Sequence, residues 1–345
     1  MCKENTNQYT TETYHITHDL SFTLAYEKNV GKLPGNGGLR FQQYKDKKDQ
    51  EEEAMVLAQN MTKKHMLYNT GFSGFKIVAN GQINNANKEK LLQKIGDLLN
   101  GYSGKLYTGC DLNINDDDML YLRKKTPYIL NAIGTNINTS MATAYGVYGS
   151  LTAVMESSDK IPKKILIHGL GKVGSAFAKE LINKNHEVYT FDKNASNANI
   201  SGAINISNNE NWYEHHCDYL LLCSGSGIID ESYAKKLNCQ WIVSSSNSPF
   251  KNAETIDILD DRNIFWIPDV VSNAGAVICD SIEFCDSEKY KSLKPDAVYK
   301  FVFDRIYMKT KRLLDLSRTH HLKISELLNT FLTIQETTEV SQLFV

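Results

Sequence analysis

The run KILIHGLGKVGSAFAKEL sets glycines at 169, 171 and 174 between an apolar stretch and a helix-like one, and the next apolar stretch, VYTF, ends on Asp192. Few local patterns restrict a fold so tightly. Gly169 allows a tight turn out of a strand, Gly171 lets the backbone approach a pyrophosphate, and Gly174 lets the following helix pack closely on the strand. Lys172 and Val173 fall in the first turn of that helix, whose N-terminus favours phosphate. An acid about 20 residues beyond the first glycine accepts both ribose hydroxyls and repels a 2'-phosphate, so NAD is expected over NADP.

Around this unit strands and helices alternate, the pattern of an α/β protein. Upstream, SFTLAYE and LRFQQY read as strands, and Asp49 to Glu53 open a helix that carries Lys64 near its C-terminal end. FKIVANGQI reads as strand and turn, NKEKLLQKIGDLLN as helix, GKLYTGC as strand and NDDDMLYL as a capped helix. A helix of small residues from about 139 to 155 leads into the second domain. There HEVYTFD, DYLLLCSG, CQWIVSSSN and NIFWIPDVV supply further strands. The expected architecture is an N-terminal α/β domain for substrate binding and oligomerisation over 1–140, and a Rossmann-type dinucleotide-binding domain over 141–295. Helices over 296–345 are expected to pack back on the first domain.

The chain has 345 residues, room for two cores, and a net charge of -2, which offers no bulk attraction to nucleic acid or membrane. The polar N-terminus MCKENTNQYTTETYH lacks the apolar run of a signal peptide, and a cytoplasmic protein is expected. Seven scattered cysteines read as reduced thiols. The neighbours His215, His216 and Cys217 lack a partner pair at ligand spacing, so no metal is expected.

Two lysines and an aspartate suggest amine chemistry: Lys64 and Lys76 flank the loop in KHMLYNTGFSGFK, and Asp111 follows in YTGCD. With GNGGLR, MTKKHMLYNTGFSGFK, YTGCD, TAYGVY, HGLGKVG, SSNSP and PDVVSNAGAV in this order, the chain resembles the Glu/Leu/Phe/Val dehydrogenase family, most closely its leucine dehydrogenase branch. The resemblance runs from about residue 20 to 310. It implies NAD-dependent, reversible oxidative deamination of an L-amino acid to its 2-oxo acid and ammonium, in a homo-oligomer.

By the same resemblance Lys64 binds the substrate carboxylate, Lys76 holds and activates the water that attacks the imine, and Asp111 shuttles protons at the amino group. An amine base must be partly neutral near the working pH, and burial and a nearby like charge both depress a lysine; Lys64 is the expected like charge. Asn36 and Gly37 of GNGG, Gly109 and Asn273 fall at substrate positions. Thr143, Ser224 and Asn247 fall beside the cofactor.

The sequence departs from the family at the glycine triplet before the catalytic lysine, which reads Ser73, Gly74, Phe75. Phe75 either points into the domain core or crowds the site. CSGSG replaces CALGA on the phosphate side. Asn36 stands where the leucine branch has an apolar residue, and an amide unpaired against an aliphatic chain disfavours leucine. A polar or aromatic substrate side chain is therefore expected. The rival readings are a biosynthetic relative acting on an unusual amino acid, and an inactive NAD-binding regulator.

Overall fold

The computed structural model describes residues 8–28, 32–156 and 163–333. The chain divides into two compact units, Met1–Thr135 with Asp280–Ser292, and Asn136–Cys279 with Leu293–Ile334.

In the first unit the elements are β1 (Tyr9–Thr17), β2 (Leu20–Glu27), β3 (Gly35–Asn36), β4 (Leu39–Gln42), α1 (Lys47–Tyr68), β5 (Ser73–Asn80), α2 (Asn85–Tyr102), β6 (Leu106–Tyr107) and α3 (Asp116–Arg123). The sheet runs β1-β2-β5-β3-β6, with β4 also pairing with β5. β1 and β2 are antiparallel to their neighbours, whereas β3 and β4 run parallel to β5. Side chains alternate across a strand. Phe75, Ile77 and Ala79 of β5 accordingly join Phe22, Leu24 and the apolar stripes of α2 and α3 in one core, while Val78 packs on Ala54, Leu57 and Ala58 of α1. Phe75 is fully buried in that core.

The same alternation sends Gly74 and Lys76 to the α1 side. A Cβ at Gly74 would lie 2.2 Å from Thr62 Oγ1 and 2.3 Å from Ala58 O, so glycine there sets how closely β5 approaches α1. Gly74→Ala is expected to destabilise this unit by about 1–3 kcal/mol, as overpacking does. A urea midpoint equal to wild type would refute this.

The second unit begins with α4 (Thr139–Met155), followed by β7 (Lys164–His168), α5 (Lys172–Asn183), β8 (Glu187–Phe191), β9 (Ile204–Asn205), β10 (Tyr219–Leu222), α6 (Glu231–Ala234), β11 (Trp241–Ser244), α7 (Ala253–Asp261), β12 (Phe265–Trp266) and α8 (Asp269–Ser272). α9 (Gly275–Cys285), α10 (Ser287–Ser292), α11 (Pro295–His320) and α12 (Ile324–Thr333) complete the chain. All six strands are parallel in the order β9-β8-β7-β10-β11-β12. Counted from β7 this is 3-2-1-4-5-6, the dinucleotide-binding order.

The C-terminal helices depart from expectation. α11 lies in the second unit, on α4, and among the described residues after β12 it is Asp280–Ser292 that joins the first unit; the rest of the expected C-terminal region, from 334 on, lies outside the described residues. The small residues of α4 account for it. A Cβ at Gly146 would stand 2.4 Å from Ile306 Cδ1 and one at Gly149 2.5 Å from Phe303 O, so only glycines admit α11 this closely. Ser150 and Thr310 add a buried hydroxyl pair at 3.0 Å.

Candidate active site

In the first unit Lys76 Nζ donates to Asp111 Oδ2 at 2.5 Å. Lys76 comes from β5, and Asp111 from the turn between β6 and α3. Asn115, not Asp111, caps α3, which frees Asp111 for this pairing. Arg40 of β4 grips the same carboxylate through Nε at 3.1 Å and Nη2 at 3.4 Å, and its Nη1 donates to Glu53 of α1. Burial pushes the Lys76 amine down; Asp111 opposes that, and Arg40 adds to it. Burial would raise the Asp111 carboxyl, but Lys76 and Arg40 together hold it well below its ordinary range. Arg40 is thus a like charge acting on Lys76, one not expected from the sequence. Lys64 is buried on α1, where its charge helps keep the adjacent His65 neutral.

The glycines of GNGG and YTGC are packing devices here. A Cβ at Gly37 would strike Phe75 O at 1.6 Å, and one at Gly38 would lie 3.3 Å from Lys76 Nζ and 3.0 Å from Asp111 Cβ. At Gly109 a Cβ would meet Leu130 O at 2.3 Å, so glycine is needed where this backbone approaches that of Leu130. Asn36 is fully buried and donates from Nδ2 to Asp280 Oδ2 at 2.8 Å. Arg40, Gly38 and Asp280 were missed as site residues. Arg40 stands inside GGLR, two residues after Gly38, whereas nothing local marks Asp280.

In the second unit Gly169 follows β7 at a φ of 98°, which favours glycine. Its Cα faces Ser224, just past β10, so the two flank the point where the strand order reverses, at the carboxyl ends of neighbouring strands. Ligands of such sheets bind there. Gly171 has open space where a Cβ would stand, and the first turn of α5 has no side-chain cap. A Cβ at Gly174 would lie 2.0 Å from Gly169 O. Lys172 is exposed and Val173 half-buried beside them. Asp192 Oδ2 accepts from Leu170 N at 2.7 Å and its Oδ1 from Asn194 N at 2.9 Å, which fixes the carboxylate beside the glycine loop.

Ser224 Oγ lies 2.8 Å from His168 Nδ1. Asn273 Nδ2 donates to Asn247 Oδ1 and Ser245 O, both at 3.1 Å, while its own Oδ1 is buried without a partner among the described residues. Thr143 Oγ1 donates to Thr139 O, and its Cα would lie 2.6 Å from a Cβ on Gly275. The open face at Gly171, the uncapped helix start and the idle Asn273 oxygen suit a dinucleotide, which would use acceptors and donors at those places.

A family profile described as Glutamate/Leucine/Phenylalanine/Valine dehydrogenase matches residues 191–335. The phenylalanine dehydrogenase of Lysinibacillus sphaericus is 28% identical over 288 residues, 79% of this chain and 75% of that protein. The leucine dehydrogenase of Thermoactinomyces intermedius is 27% identical over 272 residues, 76% of this chain and 74% of its own. Among solved structures, L-tryptophan dehydrogenase from Nostoc punctiforme superposes with a TM-score of 0.72 at 20% identity, covering 94% of each chain. Hetero-hexameric glutamate dehydrogenase from Thermus thermophilus gives 0.79 at 16%, covering 97% of this chain and 88% of that one. Likeness at such identity speaks for the fold.

The profile and the curated relatives point to an amino-acid dehydrogenase, an oxidoreductase acting on CH–NH2 donors. The chain is similar to the glutamate/leucine/phenylalanine/valine dehydrogenase family, by profile over residues 191–335 and by 27–28% identity to these relatives over about three quarters of its length. No helix among the described residues is long and apolar enough to cross a membrane.

Proposed function

We propose that the protein catalyses the reversible, NAD-dependent oxidative deamination of an L-amino acid to its 2-oxo acid and ammonium, with a polar or aromatic side chain favoured over leucine. The observation that carries the reading is the buried Lys76–Asp111 pair at 2.5 Å, braced by Arg40. A lysine pushed down by burial can hold a water and take its proton, and the neighbouring carboxylate can pass protons to and from the substrate nitrogen. Lys64 pairs with the substrate carboxylate in this scheme. Asn273, Asn247 and Thr143 orient the carboxamide and the substrate. The nicotinamide, when bound, supplies the hydride acceptor.

Asp192 selects NAD. Its carboxylate, held by two backbone N–H groups, keeps lone pairs for the ribose hydroxyls and repels a 2'-phosphate. A homo-oligomer follows from the resemblance, and a cytoplasmic setting fits the free thiols of the six described cysteines. The test is reduction of NAD and NADP with a panel of L-amino acids. At least one amino acid should support sustained turnover, with NAD favoured in kcat/KM by about 2 kcal/mol, some thirtyfold. Equal efficiency with both nucleotides would remove Asp192 from this role, and no turnover would remove the reading itself.

A further inference from the structure

In the second unit α4 and α5 meet over small side chains, Ala144 against Ser175 and Ala176, and an open cavity of about 420 Å³ lies where they do. Its aromatic walls are held from behind. Tyr145 of α4 stacks on Tyr299 of α11 with ring centroids 5.2 Å apart, and Tyr148 meets Phe177 of α5 edge-on at 6.3 Å. A space of this size with apolar walls and a few polar groups is the usual form of a small-molecule site. It is distinct from the dinucleotide cradle. The lining runs from Lys172 to Asn183, the whole length of α5 and about 16 Å at 1.5 Å per residue, and includes none of Gly169, Gly171, Asp192 or Ser224.

The polar groups of this cavity carry both signs of charge. Glu180 is half-buried, and its carboxylate has no hydrogen-bond or ion-pair partner among the described residues. It acts on both tyrosines: burial raises the Tyr145 and Tyr148 phenols, and on each the Glu180 charge is the next largest cause. A carboxylate beside aromatic rings suits an ammonium, which gains an ion pair and a cation–π contact together. Lys179, exposed and next to Glu180, lines the same cavity and suits a carboxylate. In an α-amino acid those two groups share one carbon, as Lys179 and Glu180 share one turn of α5. Met141, Tyr148 and Phe177 leave apolar surface for the side chain.

We propose that this cavity is a binding site for a free α-amino acid with an aromatic side chain, its ammonium on Glu180, its carboxylate on Lys179 and its ring against Tyr148 and Phe177. The site is carried wholly by the second unit, whereas Lys76 and Asp111 belong to the first. It goes beyond the deamination reading and does not depend on it.

Isothermal titration with L-phenylalanine in the absence of nucleotide tests it, on the full chain carrying Lys64→Ala and Lys76→Ala so that the proposed substrate anchor is gone. Binding should persist in that background. Phenethylamine, which lacks the carboxylate, and 3-phenylpropionate, which lacks the ammonium, should each bind at least tenfold more weakly. Adding Glu180→Gln should weaken L-phenylalanine at least tenfold, and Ala176→Phe, which fills the cavity, should abolish binding, with circular dichroism confirming that each variant folds. No saturable binding in the folded background, binding unmoved by both folded cavity variants, or a truncated ligand that binds as tightly as L-phenylalanine would each overturn the site as assigned. Turnover by the unmodified chain is measured separately, so these outcomes leave the deamination reading standing.

Discussion

Lys76→Ala is expected to reduce kcat by about a thousandfold, within the 10²–10⁴ range typical of general acid–base groups, with NAD affinity nearly unchanged. The lysine sits on β5 of the first unit, and the glycine loop that suits the dinucleotide lies between β7 and α5 of the second. In the proposed mechanism, loss of the amine removes the group that holds the attacking water, a contribution made in the reaction itself. Lys64→Ala should act differently, raising KM more than it lowers kcat, if it removes the proposed ion pair to the substrate carboxylate, which is present before reaction. The two variants therefore separate water activation from substrate anchoring. Equilibrium titration with NAD alone and steady-state kinetics at saturating substrate decide the matter. Near-normal kcat in Lys76→Ala would reject the proposed role, and so would loss of NAD binding comparable with the loss of turnover.

Much of this arrangement can be read from the residues in order, because the relevant signals are local. HGLGKVG fixes a strand, a turn and a helix within a few residues, and the capped NDDDMLYL helix and the helix over Thr139–Met155 stand where the periodicity puts them. β1 escapes notice because its sequence, YTTETYHIT, is polar on both faces and pairs on one side only, so its alternation carries no apolar contrast. β3 is two residues long and hidden among glycines. The placement of α11 depends on two glycines of α4 whose partners are some 150 residues away in sequence, which no local pattern encodes. Asp280 illustrates the same limit at the site. On its own it is one acid on a helix, and only its hydrogen bond to Asn36, 244 residues distant, gives it meaning.

Arg40→Ala should be the most damaging change to stability, costing about 3–5 kcal/mol near pH 7, the range for removing one partner of a buried ion pair. Its guanidinium is largely buried and serves two partly buried carboxylates, Asp111 and Glu53, and alanine would leave Asp111 with Lys76 and Glu53 with the neutral Gln42 amide. The pH dependence follows from Asp111. Its pKa in the folded protein lies below the ordinary value, so its ionisation stabilises the fold above that ordinary value, and this stability is lost as the pH falls toward the folded value. Without Arg40 the depression shrinks. The difference in unfolding free energy between wild type and Arg40→Ala should therefore be largest near neutrality and narrow in acid, as guanidinium titrations at about pH 7 and pH 3 would show. Catalysis offers an independent reading, because Arg40 also holds the Lys76 amine down by like charge. Its removal should move the pH–rate limb assigned to Lys76 upward, while Arg40→Lys, which keeps the charge but not the planar fork, should retain most of that position and lose part of the stability. A cost below about 1 kcal/mol, or a difference that fails to narrow in acid, would mean that Arg40 is a solvated surface charge and not the brace of the Lys76–Asp111 pair.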